Sequence, residues 1–171
     1  MEFISEISKL DSAVWNMHLT IPNNVSDHFI STTGNRVICN IDDRWEFQAA
    51  LMPKGKGVYF ININKEIRKK LDIKEGDQLP IILSPDNSKY GTHLPEEMEE
   101  LLAQDVEGSH VFHKLTIGKQ RSLLHLISSP KSSDTRLRKA LMTLDYLKSV
   151  GGVLDYKELN LFYKEQRNQY I

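Results

Sequence analysis

Cysteine is nearly absent from these 171 residues. Cys39 stands alone, which excludes an internal disulfide and any cysteine-rich zinc site. No apolar run approaches the roughly 20 residues that a membrane helix needs, so no membrane insertion is expected. The opening MEFISEISKL starts with an acid and has neither a basic n-region nor an apolar h-region, unlike a secretion signal. Neither sign of charge dominates: 22 Lys and Arg stand against 23 Asp and Glu. The balance holds locally, with 11 basic and 12 acidic residues over 1–90 and 11 of each over 91–171. Such a chain has no global pull toward nucleic acid or an anionic membrane. The motifs GxSxG, GxGxxG, the phosphate-cradling P-loop and the EF-hand loop are also missing. Together these absences predict a cytoplasmic protein without a cofactor and without a ready catalytic constellation.

What is present begins with period-two alternation, the mark of half-buried strands. Over residues 14–19, Trp15, Met17 and Leu19 share one face and Asn16 and His18 the other. Val37, Cys39 and Ile41 line up next. Trp45, Phe47, Ala49 and Leu51 follow after Asp42-Asp43, which reads as a tight hairpin turn. Tyr59, Ile61 and Ile63 give another face, Leu79, Ile81 and Leu83 the last, and residues 3–7 a weaker first strand. Pro53-Lys54-Gly55-Lys56-Gly57 reads as a flexible hairpin loop. Thr32-Thr33-Gly34-Asn35 reads as a turn, and residues 22–30 as one helical turn with Val25 and Phe29 four apart. Six or so short strands sharing one apolar face are best closed into a small barrel, which removes exposed edges.

Near Ser84 the period changes. Residues 85–92 have linker composition, and helical spacing takes over from Leu94. Pro95-Glu96-Glu97 is a sound helix start, with Leu94, Met98, Leu101 and Leu102 as its apolar face. Thr116 caps a helix carrying Leu123, Leu124 and Ile127. Leu137, Leu141, Leu144 and Leu147 stripe a longer helix that stops at Gly151-Gly152. A final amphipathic stretch uses Leu159, Phe162 and Tyr163. The expected fold is therefore α+β. A small antiparallel split β-barrel occupies residues 1–88 and a C-terminal helical region residues 93–168.

Two sets of residues carry a family resemblance. Trp15, Ile21-Pro22, Arg36-Val37, Leu51-Met52-Pro53, Gly57-Val58-Tyr59, residues 65–71 and Glu75-Gly76-Asp77 form the first set. Leu94-Pro95-Glu96-Glu97, Phe112, Ile127, Lys131 and the run Asp134-Thr135-Arg136-Leu137-Arg138-Lys139 form the second. Together they resemble the YdeI/OmpD-associated, or bacteriocin-protection, family with its N-terminal β-barrel domain of unknown function. The resemblance covers residues 2–149. The family's usual Trp in the penultimate helix is Leu126 here, and its Ala-Lys pair is replaced by Ser129-Pro130-Lys131. More distantly, residues 63–77 resemble the core of AbrB-type swapped-hairpin transcription factors. Asn64 serves as cap, Ile67 and Leu71 bury on one helix face, Gly76 supplies a positive φ and Asp77 closes its own turn. That resemblance implies a related split barrel, and fold alone does not imply DNA binding.

Each candidate site has a plain structural counterpart. Arg68, Lys69 and Lys70 are either phosphate contacts or a solvated helix face balanced by Glu66, Asp72 and Glu75. Residues 94–107 carry six acids and no Lys or Arg, whereas residues 110–149 carry eight basic residues against Asp134 and Asp145. This polarity is either internal complementarity or an anion- or DNA-binding surface including Arg136, Arg138 and Lys139. Arg136 and Arg138 stand near a helix start, where the dipole disfavours cations, and Asp134 is the nearest compensating charge. His110 and His113 are spaced for one helix face but lack a third metal ligand, and His125 reads as half-buried. The acids of residues 96–100 read as helix surface, and Cys39 and the two tryptophans as core. The functional expectation is a non-enzymatic binding or stress-protection module. One alternative is an AbrB-like DNA-binding regulator. The other is a small-ligand binder or enzyme with a pocket between barrel and helices involving Arg36, Arg44, Thr135 and Arg136. A homodimer, DNA and a protein all stay open as partners.

Overall fold

Alternating burial builds the first of two units, Met1–Asn87. The computed structural model describes residues 1–10 and 17–169. The strands are β1 (Glu2–Lys9), β2 (Met17–Ile21), β3 (Arg36–Ile41), β4 (Trp45–Ala50), β5 (Met52–Gly55), β6 (Val58–Asn62) and β7 (Gln78–Pro85). They form one antiparallel sheet in the order β4-β3-β7-β1-β2-β6-β5. β7, the last strand of the unit, lies inside the sheet, between β3 and β1. Its Ile81 is opposite Phe3 of β1 on one side and Ile41 of β3 on the other. Ile7, Leu19, Ile21, Val37, Cys39, Ile41, Ile61, Ile81 and Leu83 turn inward and are buried. Each fully buried Ile or Leu contributes about 1.5–3 kcal/mol, so this shared face holds the curl.

β4 and β5 occupy the two ends of the strand order, yet only Leu51 separates them in the chain. The buried Leu51 donates its N–H to the carbonyl of Asn35 at 2.8 Å. One run of chain thus leaves one edge of the sheet and becomes the other, which requires the sheet to curl into a half-barrel. The predicted loop over residues 53–57 is corrected by this geometry. β5 continues through Gly55, and only Lys56 and Gly57 turn. Pro53 reads as a loop residue because it has no N–H for a ladder, but an edge strand tolerates that, and a register shift beside it absorbs the mismatch.

The turn at Asp42-Asp43 forms as read, with φ of 55° and 51°. Asn64 caps α2 (Lys65–Leu71), accepting the N–H of Ile67 at 2.9 Å, and Ile67 and Leu71 bury against the sheet. Asp77 closes its turn by accepting the N–H of Lys74 at 2.7 Å. Residues 22–30 hold more than one turn: α1 (Asn23–Thr32) is a ten-residue helix anchored by Val25 and Phe29. The strand expected over residues 14–19 is seen from Met17 onward, and Trp15 lies outside the described residues. His18, expected to face outward, is fully buried.

The second unit, Ser88–Ile171, is helical. It comprises α3 (Glu96–Gln104), α4 (Val106–His113), α5 (Ile117–Ser128), α6 (Ser133–Ser149) and α7 (Tyr156–Gln166). α6 packs against the other four around Met98, Phe112, Leu123, Leu124, Ile127, Ala140, Leu144, Leu147 and Leu159. The capping residues are sequence-local. Asp105 accepts from Gly108 at 2.8 Å, Thr116 from Lys119 at 3.4 Å, and Asp155 from Lys157 at 2.7 Å. Gly151 and Gly152, with φ of 61° and 85°, end α6. The Gly152 N–H reaches back to the Leu147 carbonyl at 2.7 Å, closing the left-handed cap that glycine permits. The leucine stripe of α6 is rotated from the expected one. Leu137, in the first turn, is 39% exposed, and the inner face is made by Ala140, Thr143, Leu144 and Leu147. α6 is surrounded along most of its length, so small and polar residues enter its buried face and a leucine-only count misplaces it. His125 is exposed on the outer face of α5.

Candidate functional site

The basic residues singled out from sequence meet different fates. On α2, Lys70 sets its Nζ 3.3 Å above the centroid of Trp45, a cation–π contact, while Arg68 is half-buried and Lys69 exposed. Arg44 pairs with Asp42 at 2.7 Å and donates to the Leu71 carbonyl at 3.2 Å. Arg36 lies at the other end of the β3–β4 hairpin. It lines a shallow cavity of about 210 Å³ with Phe47, Gln48 and Asn64. Five strand residues, 37 to 41, separate Arg36 from the turn at Asp42-Asp43, about 16 Å of extended chain. The hairpin therefore keeps Arg36 and Arg44 apart.

Arg136 is a clamp. Its Nε donates to both oxygens of Glu97 at 3.1 Å and its Nη2 to Oε1 at 2.7 Å. Its Nη1 donates to the carbonyls of Lys131 at 2.9 Å and Pro130 at 3.3 Å. Ser133 Oγ adds a bond to Glu97 at 2.6 Å. The Arg136 bonds first, and Ser133 second, hold the Glu97 carboxyl down at about 2. Two readings are corrected here. The compensating acid for Arg136 is Glu97, 39 positions away, and Asp134 serves Arg138 one turn on. Glu97 is not plain helix surface, because the start of α6 needs its charge. His93, Pro95, Glu96 and Ser128 complete a polar cavity of about 310 Å³ around this clamp, whose central charges already satisfy each other.

Three other candidates converge. Thr135, Arg138 and Lys139, with Met142, fall at i, i+3, i+4 and i+7 of α6, which is one stripe of a helix. Facing them are Tyr163 and Arg167 across a cleft of about 260 Å³. Met142 and the Tyr163 ring give the cleft an apolar floor, Lys139 Nζ lies 6.0 Å from the centroid of that ring, and the exposed Arg167 stands at the rim. Arg138 is paired with Asp134. Lys139 is half-buried, and its one hydrogen bond among the described residues goes to the carbonyl of Leu126 at 3.3 Å. Neither Lys139 nor Arg167 has a carboxylate partner among those residues. Burial holds the Lys139 ammonium below the usual lysine range.

Tyr90 and His113 bond at 2.9 Å, and His113 Nδ1 lies 2.7 Å from the Ser109 carbonyl, which occupies both ring nitrogens. No group of three or more metal-ligating side chains gathers among the described residues. Burial pushes the Cys39 thiol up to about 12. Sequence reasoning missed His18, a buried ring whose Nε2 lies 2.9 Å from Lys54 Nζ. An ammonium can only donate, so Nε2 accepts and the imidazole is neutral. Burial, then the charge of Lys54, lowers its pKa. No pattern pointed to it, because a strand facing outward in sequence can still be covered.

Comparison with known families accounts for both units. Residues 3–83 match a Domain of unknown function (DUF1905), and residues 92–149 match the family described as Bacteriocin-protection, YdeI or OmpD-Associated. The two matches stand in the order that the resemblance implied, the domain of unknown function first and the YdeI/OmpD-associated segment second. No curated protein matches the chain. The family segment ends at residue 149, the last residue of α6, so Tyr163 of α7 and Arg167 at its C-cap lie beyond it. The cleft therefore combines an α6 wall from the family segment with an α7 wall from outside it. No helix among the described residues is long and apolar enough to cross a membrane.

Proposed function

We propose that this chain is a non-enzymatic cytoplasmic binding or stress-protection module that holds an anionic partner between α6 and α7. Lys139 carries this reading. A half-buried ammonium facing an apolar floor has lost much of its hydration, and one neutral carbonyl with a ring face 6.0 Å away does not replace it. An anion entering the cleft restores the missing countercharge.

The AbrB-like alternative draws less support. DNA affinity rests on several cations free to displace counterions at phosphates. Lys70 is committed to Trp45, Arg136 to Glu97 and Arg138 to Asp134, so a phosphate must compete with each. The test is an amide NMR titration of the full chain with sodium benzoate, inorganic phosphate and a short random-sequence DNA duplex. Shifts gathered on residues 135–142 and 159–167 with a small anion support the reading. Duplex binding that falls steeply with salt, with no response of those residues to small anions, would replace it with the DNA reading.

A further inference from the structure

We infer that the cleft between α6 and α7 is built for a small monocarboxylate with an apolar body, such as an aromatic or short aliphatic acid. The inference rests on the anion-binding reading above and narrows it to a chemical class.

The donors in the cleft decide the class. Thr143 Oγ1 donates to the Lys139 carbonyl at 2.6 Å, which uses its only proton. The 2.6 Å contact between Thr143 Oγ1 and Tyr163 Oη must then be donated by the phenol. Tyr163 thus has no proton left for a ligand and presents its ring face. Burial also pushes this phenol up to about 12, so the wall stays uncharged across the physiological range. The Thr135 hydroxyl is half-buried and has no partner among the described residues. It is free to donate to a ligand oxygen.

Charge narrows the choice further. The planar fork of an arginine is the group that best matches a phosphate; Arg138 has its Nη2 engaged by Asp134 and Arg167 is exposed at the edge of the cleft, so a phosphate would be held on the solvent side, away from the apolar floor. The cation left over the floor is Lys139, a compact point charge, and the exposed Arg167 stands at the rim. One inner point charge and one hydroxyl donor suit the two oxygens of a single carboxylate. Beyond them lie the buried Met142 thioether and the Tyr163 ring, which accept apolar atoms and gain nothing from a hydrated dianion. The volume of about 260 Å³ lies at the small end of ligand pockets, which suits a compact occupant.

α7 is fastened well enough to serve as a wall. Leu159 is buried, Asp155 caps the helix, and Tyr146 Oη bonds the Asp155 carbonyl at 3.2 Å and Glu158 at 3.3 Å. This wall lies outside the matched family segment, so the match by itself implies nothing about ligand selectivity.

The test is a calorimetric or NMR titration of the full chain with acetate, butyrate, hexanoate, benzoate, benzyl alcohol and inorganic phosphate. Affinity is expected to rise about fourfold for each methylene that becomes buried. Benzyl alcohol is expected to bind at least about tenfold more weakly than benzoate, because it lacks the charge for Lys139. Lys139→Met removes the ammonium at similar length and should weaken benzoate about tenfold with the fold intact. Tyr163→Leu should flatten the chain-length series while leaving acetate unchanged. Phosphate binding at the same residues as tightly as benzoate overturns the carboxylate class and keeps the anion site. No anion shifting residues 135–142, with Lys139→Met and the parent chain indistinguishable, overturns both. A benzoate response confined to other residues overturns the placement in this cleft.

Discussion

Replacing Gly108 by alanine should destabilise the helical unit, although alanine is the better helix former by about 1 kcal/mol. Gly108 sits in the first turn of α4, where its N–H is held by Asp105 Oδ1 at 2.8 Å. A Cβ added there would lie 2.6 Å from Asp105 Oδ2, 2.8 Å from its Cγ and 3.1 Å from Leu144 Cδ1. The carboxylate cannot swing aside freely, because Oδ2 also takes Lys148 Nζ at 2.8 Å, and Lys148 is tied in turn to Asp145 at 2.9 Å. Moving Asp105 releases the cap, worth about 1 kcal/mol, and a partly exposed ion pair worth less than about 1 kcal/mol. Crowding a buried leucine adds about 1 kcal/mol or more. These losses exceed the propensity gain, leaving a net destabilisation of about 1–2 kcal/mol. Urea unfolding followed by far-ultraviolet circular dichroism reads it, since both tryptophans, Trp15 and Trp45, belong to the other unit. Adding Asp105→Ala removes the obstructing carboxylate, so Gly108→Ala should cost about 1 kcal/mol less in that background. A stabilising Gly108→Ala, or strictly additive effects, would refute the reasoning.

Three further outcomes are expected. The Glu97 carboxyl titrates near 2 in the fold against 4.5 unfolded, so its stabilisation is complete above pH 4.5 and is lost as pH falls toward 2. Glu97→Gln should remove that acid-dependent limb from the helical unit's unfolding curve. His18 has a folded pKa below its ordinary 6.5, so the β-unit is most stable above pH 6.5 and weakens as pH falls through the lowered value. Tryptophan-monitored urea midpoints on either side of 6.5 should diverge in the parent and converge in His18→Gln. Lys139→Met, which removes a poorly solvated charge and keeps its stem, should raise the urea midpoint of the ligand-free protein, and a lower midpoint would sink the account of Lys139.

What was legible in the sequence was local. The alternation of Val37, Cys39 and Ile41 and of Leu79, Ile81 and Leu83 gave the inward faces, because a strand's period survives any topology. Asn64, Gly76, Asp77 and Gly151-Gly152 announced their caps and turns, because those contacts close within a few residues. The Asp134–Arg138 pair was within reach for the same reason. The Glu97–Arg136 clamp was not, since no spacing rule links positions 39 apart. The β4–β5 joint was hidden by Pro53 and Gly55, which punctuate a loop and an edge strand equally well. The α6 residues of the cleft were named, but separately: Arg138 and Lys139 as basic residues beside Arg136, and Thr135 with Arg36 and Arg44 as part of a pocket. The opposite wall depended on where α7 returns, which Tyr163 and Arg167 alone could not signal.

The interior place of β7, between β3 and β1, bears on how the β-unit is made. During synthesis the other six strands leave the ribosome first, but they can form only two separate sheets: the β3–β4 hairpin, and the set of β1, β2, β6 and β5. Neither encloses the apolar face on its own. Residues 78–85 arrive last and join the two, pairing with both β1 and β3. Until then Val37, Cys39, Ile41 and Ile7 lack their central neighbours, and this wait favours chaperone capture and aggregation at unpaired edges. A chain interrupted before residue 78 should therefore leave a sticky pair of half-sheets rather than a smaller folded domain.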